Sequence, residues 1–264
     1  RTFVAAKCNV TKKHIEVTCY SSPGVGKFHF WQLSVGNQTT FAINISTSYT
    51  PPSISSFEDE YLGGGEGLDT SGGTLVTIIG INFGPSVPLN VVNATYRNRA
   101  LEGQYGDKYD PSLSCSVASQ TNIVCKSLPG IGKRHRWIVE VGGQRSRLSD
   151  NNTYTSYAGP RIDSVRVIGS SGLRTEGGTK VNITGGNFGP RALSGVYAQY
   201  RNLKPFGVSG LGATTFNATD CEVTVASVEV ICISGPGIGV NQSWKLKIAG
   251  VTSKQYGRPW SLDK

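Results

Sequence analysis

The chain has 264 residues, with 26 lysines and arginines against 17 acidic residues and a net charge of +9. That length accommodates a single large domain or two ordinary ones, and that charge fits either a solvated basic edge or a surface for acidic partners. The 34 glycines are about twice the usual share, no stretch carries apolar residues at helical spacing, and the longest apolar run, Leu75–Ile81, is far short of a membrane span. Helical bundles and membrane-spanning helices are thereby excluded, and short Val/Ile/Thr/Tyr runs between Gly/Pro/Asn/Ser clusters read as all-β.

The first element is a cysteine pair, Cys8 and Cys19, followed by Pro23-Gly24-Val25-Gly26 and a segment led by Trp31. The same order returns as Cys115, Cys125, Pro129-Gly130-Ile131-Gly132 and Trp137, and again as Cys221, Cys232, Pro236-Gly237-Ile238-Gly239 and Trp244. Equivalent positions lie 106 or 107 residues apart, a whole-domain period rather than that of a solenoid. The predicted organisation is the second half of one copy over 1–50, complete copies over 51–158 and 159–255, and the start of another over 256–264. With no methionine, the sequence reads as an internal piece of a longer protein.

Within a complete copy, an opening strand after proline (53–57; 161–167) precedes Gly-Gly-Thr and a second strand. In the latter, Val181 and Ile183 alternate with Asn182 and Thr184, the pattern of a half-buried strand. Asn82-Phe83-Gly84-Pro85 and Asn187-Phe188-Gly189-Pro190 end that strand, and the phenylalanine is predicted to turn into the core. A third strand closes on Tyr96-Arg97-Asn98 and Tyr200-Arg201-Asn202. A hairpin between each cysteine pair follows. In the last strand Trp137, Val139 and Val141, or Trp244, Leu246 and Ile248, face inward. About seven short strands at this spacing make a two-sheet sandwich.

Six cysteines in three local pairs fit disulfides better than zinc, which wants shorter gaps and a clustered partner pair. Pairing is predicted as Cys8–Cys19, Cys115–Cys125 and Cys221–Cys232, in an oxidising compartment. Asn9, Asn37, Asn44, Asn93, Asn151, Asn182, Asn217 and Asn241 each head an N-glycosylation triplet, where about three would arise by chance. Both features place the chain at the cell surface or outside the cell.

No nucleophile elbow, metalloprotease helix or phosphate loop is present, so no catalytic, cofactor-binding or metal residue is named. His14, His29 and His135 read as surface or strand-end residues, since the third copy replaces the last two with Gln242. The acidic groups Glu58-Asp59-Glu60 and Asp107 with Asp110 are too sparse for calcium. Lys133, Arg134, Arg136, Arg145 and Arg147 concentrate charge on one terminal hairpin. A solvated edge that blocks strand pairing is one reading, a patch for acidic glycans or an acidic protein the other.

In order and spacing, Pro-x-Ile, Gly-Gly-Thr-x-Val-x-Ile-x-Gly-x-Asn-Phe-Gly, the cysteine pair, Pro-Gly-x-Gly and the closing hairpin resemble the IPT/TIG family of immunoglobulin-like domains. The resemblance covers nearly the whole chain and implies tandem Ig-like β-sandwiches, each with one local disulfide. The segments 86–114 and 191–220 are longer than in a lean member, and a specific role is expected there.

The sequence favours a non-enzymatic extracellular structural or adhesive protein, a semi-rigid stalk or filament. Its partners would be protein or glycan surfaces, or copies of itself in a filament, with no nucleic acid and no cofactor. Short Tyr-x-x-Pro joints support this, with the tyrosine expected to pack across each boundary. The alternatives are a ligand-binding receptor ectodomain, with a patch around Tyr197, Tyr200 and Phe206, and a carbohydrate-binding region of a secreted enzyme.

Overall fold

The computed structural model describes residues 2–40, 44–59, 67–86, 92–98, 108–109, 115–193, 195–202, 215–239, 241–254 and 256. Every regular element among them is a strand.

Between residues 53 and 145 eight strands form two four-stranded sheets. One runs β7(Ser53–Asp59)-β8(Leu75–Ile81)-β12(Asn122–Lys126)-β11(Ser116–Ser119). The other runs β10(Lys108–Tyr109)-β9(Val92–Arg97)-β13(Arg136–Val141)-β14(Gln144–Arg145). In chain order the strands divide as first, second, fifth and sixth against third, fourth, seventh and eighth. This is the division of an immunoglobulin-like sandwich. Alternation explains the faces: Val76, Ile78 and Gly80 of β8 are buried while Leu75 and Ile81 are exposed, and Trp137, Val139 and Val141 of β13 all point inward.

Residues 161–252 fold the same way with one difference. The seven strands form one continuous sheet, β15(Arg161–Val167)-β16(Lys180–Gly186)-β19(Glu229–Ile233)-β18(Thr215–Val225)-β17(Val196–Asn202)-β20(Gln242–Ile248)-β21(Val251–Thr252). The eleven-residue β18 pairs with β17 through Ala218, then with β19 from Thr219 onward. A register shift between Thr219 and Glu222, around Cys221, turns it from one layer to the other.

Each unit has its own core. Tyr96 stacks on Trp137 with ring centroids 4.2 Å apart, and Tyr200 on Trp244 at 4.4 Å. Phe83 and Phe188 are fully buried, as their turn position predicts. The disulfides Cys8–Cys19, Cys115–Cys125 and Cys221–Cys232 each close the two arms of a hairpin, Cys115 lying just before β11. Closing a loop of this size contributes about 3 kcal/mol on the chain-entropy account.

Residues 1–50 differ for a physical reason. In the complete units the disulfide hairpin leans on β8 or β16, and the tryptophan strand on β9 or β17. The described residues of 1–50 hold no such strands, so three two-stranded sheets stand alone: β1(Ala6–Lys12) with β2(Glu16–Tyr20), β3(His29–Phe30) with β6(Ser46–Thr47), and β4(Ser34–Val35) with β5(Gln38–Thr39). Trp31, buried in the other copies, is 37% exposed and falls outside any strand.

The long segments 86–114 and 191–220 contain ordinary structural strands where they are described: β9 and β10 in the first, β17 and the start of β18 in the second. The rest of both lies outside the described residues.

Candidate functional site: the joints and the basic sheet face

The Pro-Gly-(Val/Ile)-Gly loop owes its shape to two features. Its last glycine takes a positive φ in all three copies, 109° at Gly26, 96° at Gly132 and 112° at Gly239, a conformation closed to most side chains. Its first glycine makes room for a ring: a Cβ on Gly24 would lie 2.6 Å from the Tyr49 hydroxyl, and one on Gly130 2.5 Å from that of Tyr157. Those tyrosines donate to the carbonyl before the loop's proline, Tyr49 to Ser22 and Tyr157 to Leu128, both at 2.7 Å. In the third copy Phe216 fills the space beside Gly237, and Tyr256 bridges to Trp244 instead.

The joint tyrosines therefore latch onto their own copy. The residue that crosses is the apolar one in the middle of the loop. Val25 is 7% exposed and packs in the core of residues 54–157, while Ile131 is 4% exposed and packs in the core of residues 162–256. At the first joint a Cβ on Gly142, in the turn between β13 and β14, would lie 2.7 Å from Val25. Gln144 fixes the contact: its side-chain oxygen accepts from the Gly26 amide at 3.1 Å, and its nitrogen donates to the Tyr49 carbonyl at 2.7 Å. Asn82, at a φ of 63°, donates to the Pro51 carbonyl at 3.1 Å. At the second joint Ile131 abuts Gly189, Thr70 and Ser227 share a hydroxyl hydrogen bond at 2.9 Å, and Asn187 donates to the Gly159 carbonyl at 3.2 Å. Sequence reasoning missed these roles. The available signal was the invariant aliphatic residue inside three glycine-flanked loops, where solvent exposure would demand nothing of the kind.

His135 lies at a strand end, one of the two places expected from the sequence, but not at the surface. It is fully buried at the strand end, edge-on to the rings of Tyr96, Tyr109 and Tyr157 at 5.4 to 5.8 Å. Its Nε2 bonds the Ile131 carbonyl at 2.9 Å, which leaves Nδ1 buried without a partner. Burial pushes its pKa down to about 4, against a smaller upward pull from the carbonyls of Ile131 and Gly132. His29 holds the corresponding place between Phe3 and Tyr49. Gln242 reproduces the bond by donating to the Ile238 carbonyl at 3.3 Å. His135 and Gln242 thereby hold the carbonyl of their own loop's aliphatic residue, whereas His29 Nε2 is buried without a hydrogen-bond partner.

The basic residues lie on and beside the outer face of the β9–β13 layer. Arg136 is half-buried: its guanidinium donates to the Ser149 carbonyl and, at 2.8 Å, to Asn151. Arg97 stands directly opposite it in the register. Arg134 lies over the Tyr154 ring at 5.7 Å, and Lys133, Arg145 and Arg147 are exposed. The ion pairs among the described residues are Lys12–Glu16, Arg161–Asp163 and Arg174–Glu176, none of them in this group. The third unit carries Arg201, Lys245 and Lys247 on the corresponding face, more charge than the hairpin alone indicates.

Of the eight glycosylation triplets, seven asparagines are exposed and Asn182 is half-buried. Asn182 points away from the Val181/Ile183 core face and donates to Glu229 at 3.0 Å. Tyr197 is 64% exposed while Tyr200 is buried, so these two form no common patch, and Phe206 lies outside the described residues. The same holds for Glu60, Asp107, Asp110 and the side chain of Asp59. A polar cleft of about 310 Å³ between Ser22, Tyr49, Asn82 and Gln120 marks the first joint.

No protein-family model and no curated protein sequence matches the chain. Among solved structures, SGBP-B from a complex xyloglucan utilization locus in Bacteroides uniformis aligns over 79% of this chain and 49% of its own, at 15% identity and a TM-score of 0.27. The full extracellular region of plexin A4, domains 1 to 10, aligns over 90% of this chain and 19% of its own, at 13% identity and a TM-score of 0.28. The chain thus spans about half of the first and about a fifth of the second. Alignments this loose carry no argument about function.

Proposed function

We propose that the chain is a non-enzymatic, extracellular, semi-rigid array of IPT/TIG-type sandwiches, serving as a structural or adhesive stalk or filament. The observation that carries this reading is the insertion of Val25 and Ile131 into the core of the unit that follows. A tether between independent domains has no use for an apolar plug, whereas a plug buried in the next core holds neighbouring units in one orientation. The three disulfides and eight glycosylation triplets support an oxidising, extracellular location. Small-angle scattering tests the reading. The unmodified chain should hold one preferred elongated arrangement, and replacing Pro51 and Pro52 with glycine, or Ile131 with aspartate, should loosen it. An unmodified chain already as flexible as those variants refutes the stalk.

A second reading concerns the partner. Arg97, Arg136 and Arg145, with Arg201, Lys245 and Lys247 in the next unit, favour an acidic glycan or acidic protein surface. Retention on a heparin column that falls steeply when Arg97 and Arg136 are replaced by glutamine would support it. Unchanged retention would leave the face as a solvated edge.

A further inference from the structure

We propose that the Pro236–Gly239 loop is a docking face for another β-sandwich of this same fold, joined in tandem, with Ile238 as the plug. The proposal rests on the array reading above and adds a specific surface and occupant to it.

Three equivalent loops are on the chain, and two have an occupant. Val25 and Ile131 are 7% and 4% exposed because a following unit covers them, while Ile238 is 70% exposed. The exposed loop is not collapsed or differently folded. Gly239 takes φ of 112°, beside 109° at Gly26, Gln242 holds the Ile238 carbonyl as His135 holds that of Ile131, and Phe216 supports Gly237 where tyrosines support Gly24 and Gly130. An aliphatic side chain held at the tip of a preformed loop is costly to leave in water and cheap to dock.

The two built joints define what the occupant must present. Both bring a glycine against the plug, Gly142 to Val25 and Gly189 to Ile131. Both add a polar tie, Gln144 to the Gly26 amide in one and Ser227 to Thr70 in the other. A closing-hairpin or Asn-Phe-Gly-Pro turn supplies such a glycine, and an amide or hydroxyl beside it supplies the tie. One plug gives too little buried area for tight association between free molecules. A short covalent joint raises the effective concentration enough for it to suffice, which is why the occupant is assigned in tandem.

The test extends the full chain. Residues 1–256 are followed by a second copy of 50–158, whose Gly142 and Gln144 already accept Val25. Amide hydrogen exchange is then followed at loops 23–26, 129–132 and 236–239, with and without the extension. The first two loops should be protected in both proteins. The third should exchange at least tenfold more slowly in the extended protein, and Ile238→Asp should erase that gain while leaving the unextended chain unchanged. A third loop that exchanges at one rate in both proteins, with the first two protected, overturns this proposal alone. Rapid exchange at the first two loops overturns the array reading itself. Protection of the third loop that grows with concentration of the unextended chain assigns the face to a second copy and overturns the tandem occupant. A parallel extension with residues 158–254 presents the acceptor that takes Ile131, so a folding failure in one extended protein leaves the other to decide.

Discussion

Acid should weaken the second unit through one residue, His135. Its neutral imidazole is closed in by Tyr96, Tyr109 and Tyr157, donates from Nε2 to the Ile131 carbonyl, and leaves the unprotonated Nδ1 buried without a hydrogen-bond partner. Protonation would place a charge on that buried nitrogen. The folded pKa lies at about 4, below the ordinary 6.5, so between those values the unfolded chain binds a proton that the folded chain refuses. Stability is therefore fully present above pH 6.5 and declines as pH falls toward 4. The whole contribution is about 3 kcal/mol, and about 2 kcal/mol of it is gone by pH 5.

His135→Gln isolates the effect, because Gln242 shows that an amide in this position still reaches the loop carbonyl and an amide does not titrate. Calorimetric scans at pH 7.5 and 5.0 would follow the transition that the substitution moves. Other carboxylates titrate equally in both proteins and cancel in the comparison. Relative to the variant, the wild-type transition should lose about 2 kcal/mol on acidification, or roughly 8–16 °C for a unit of about 100 residues. Parallel pH curves for the two proteins would refute the burial argument.

Ile131→Ala should cost about 2–4 kcal/mol of coupling at the second joint, because the side chain leaves a void between two cores that cannot collapse together; exchange rates at 129–132 rise while those at β13 stay unchanged. Reduction of Cys221–Cys232, or its replacement by serines, should lower the third unit's stability by about 2–3 kcal/mol and leave the second unit's transition in place, as resolved calorimetrically. Intact-glycopeptide mass spectrometry on native protein should find sugar on Asn182, whose side chain faces away from the core; the glycan would displace its bond to Glu229. A bare Asn182 in an otherwise glycosylated protein would show that the Glu229 contact shields it.

The parts of the structure that were legible in the sequence are those governed by local periodicity. Trp137, Val139 and Val141 alternate strictly, and a period of two admits one buried face, so strand and orientation follow together. The cysteine pairs, 10 or 11 residues apart with turn residues between them, likewise read as hairpins, and the bridges close them. What stayed hidden depends on groups far apart in the chain. Nothing near His135 in sequence announces three tyrosines drawn from β9, β10 and residue 157, and only their convergence makes it a buried, neutral residue. The joint was misassigned for a related reason. Tyr49 and Tyr157 sit at the boundary in sequence, but their rings have an intramolecular slot, the space left by Gly24 and Gly130. With the tyrosine held at home, the loop beneath it is fixed in place and can offer Val25 or Ile131 to the neighbour. The glycine that looks like a turn residue thus builds the latch that aims the plug. It follows that Gly130→Ala should damage the second joint while replacing no residue that crosses it. A Cβ there would displace Tyr157, and the loop carrying Ile131 would move with it. If scattering and exchange at 129–132 were unchanged in that variant, the latch and the plug would be independent, and the joint would have to be explained by the short linker alone.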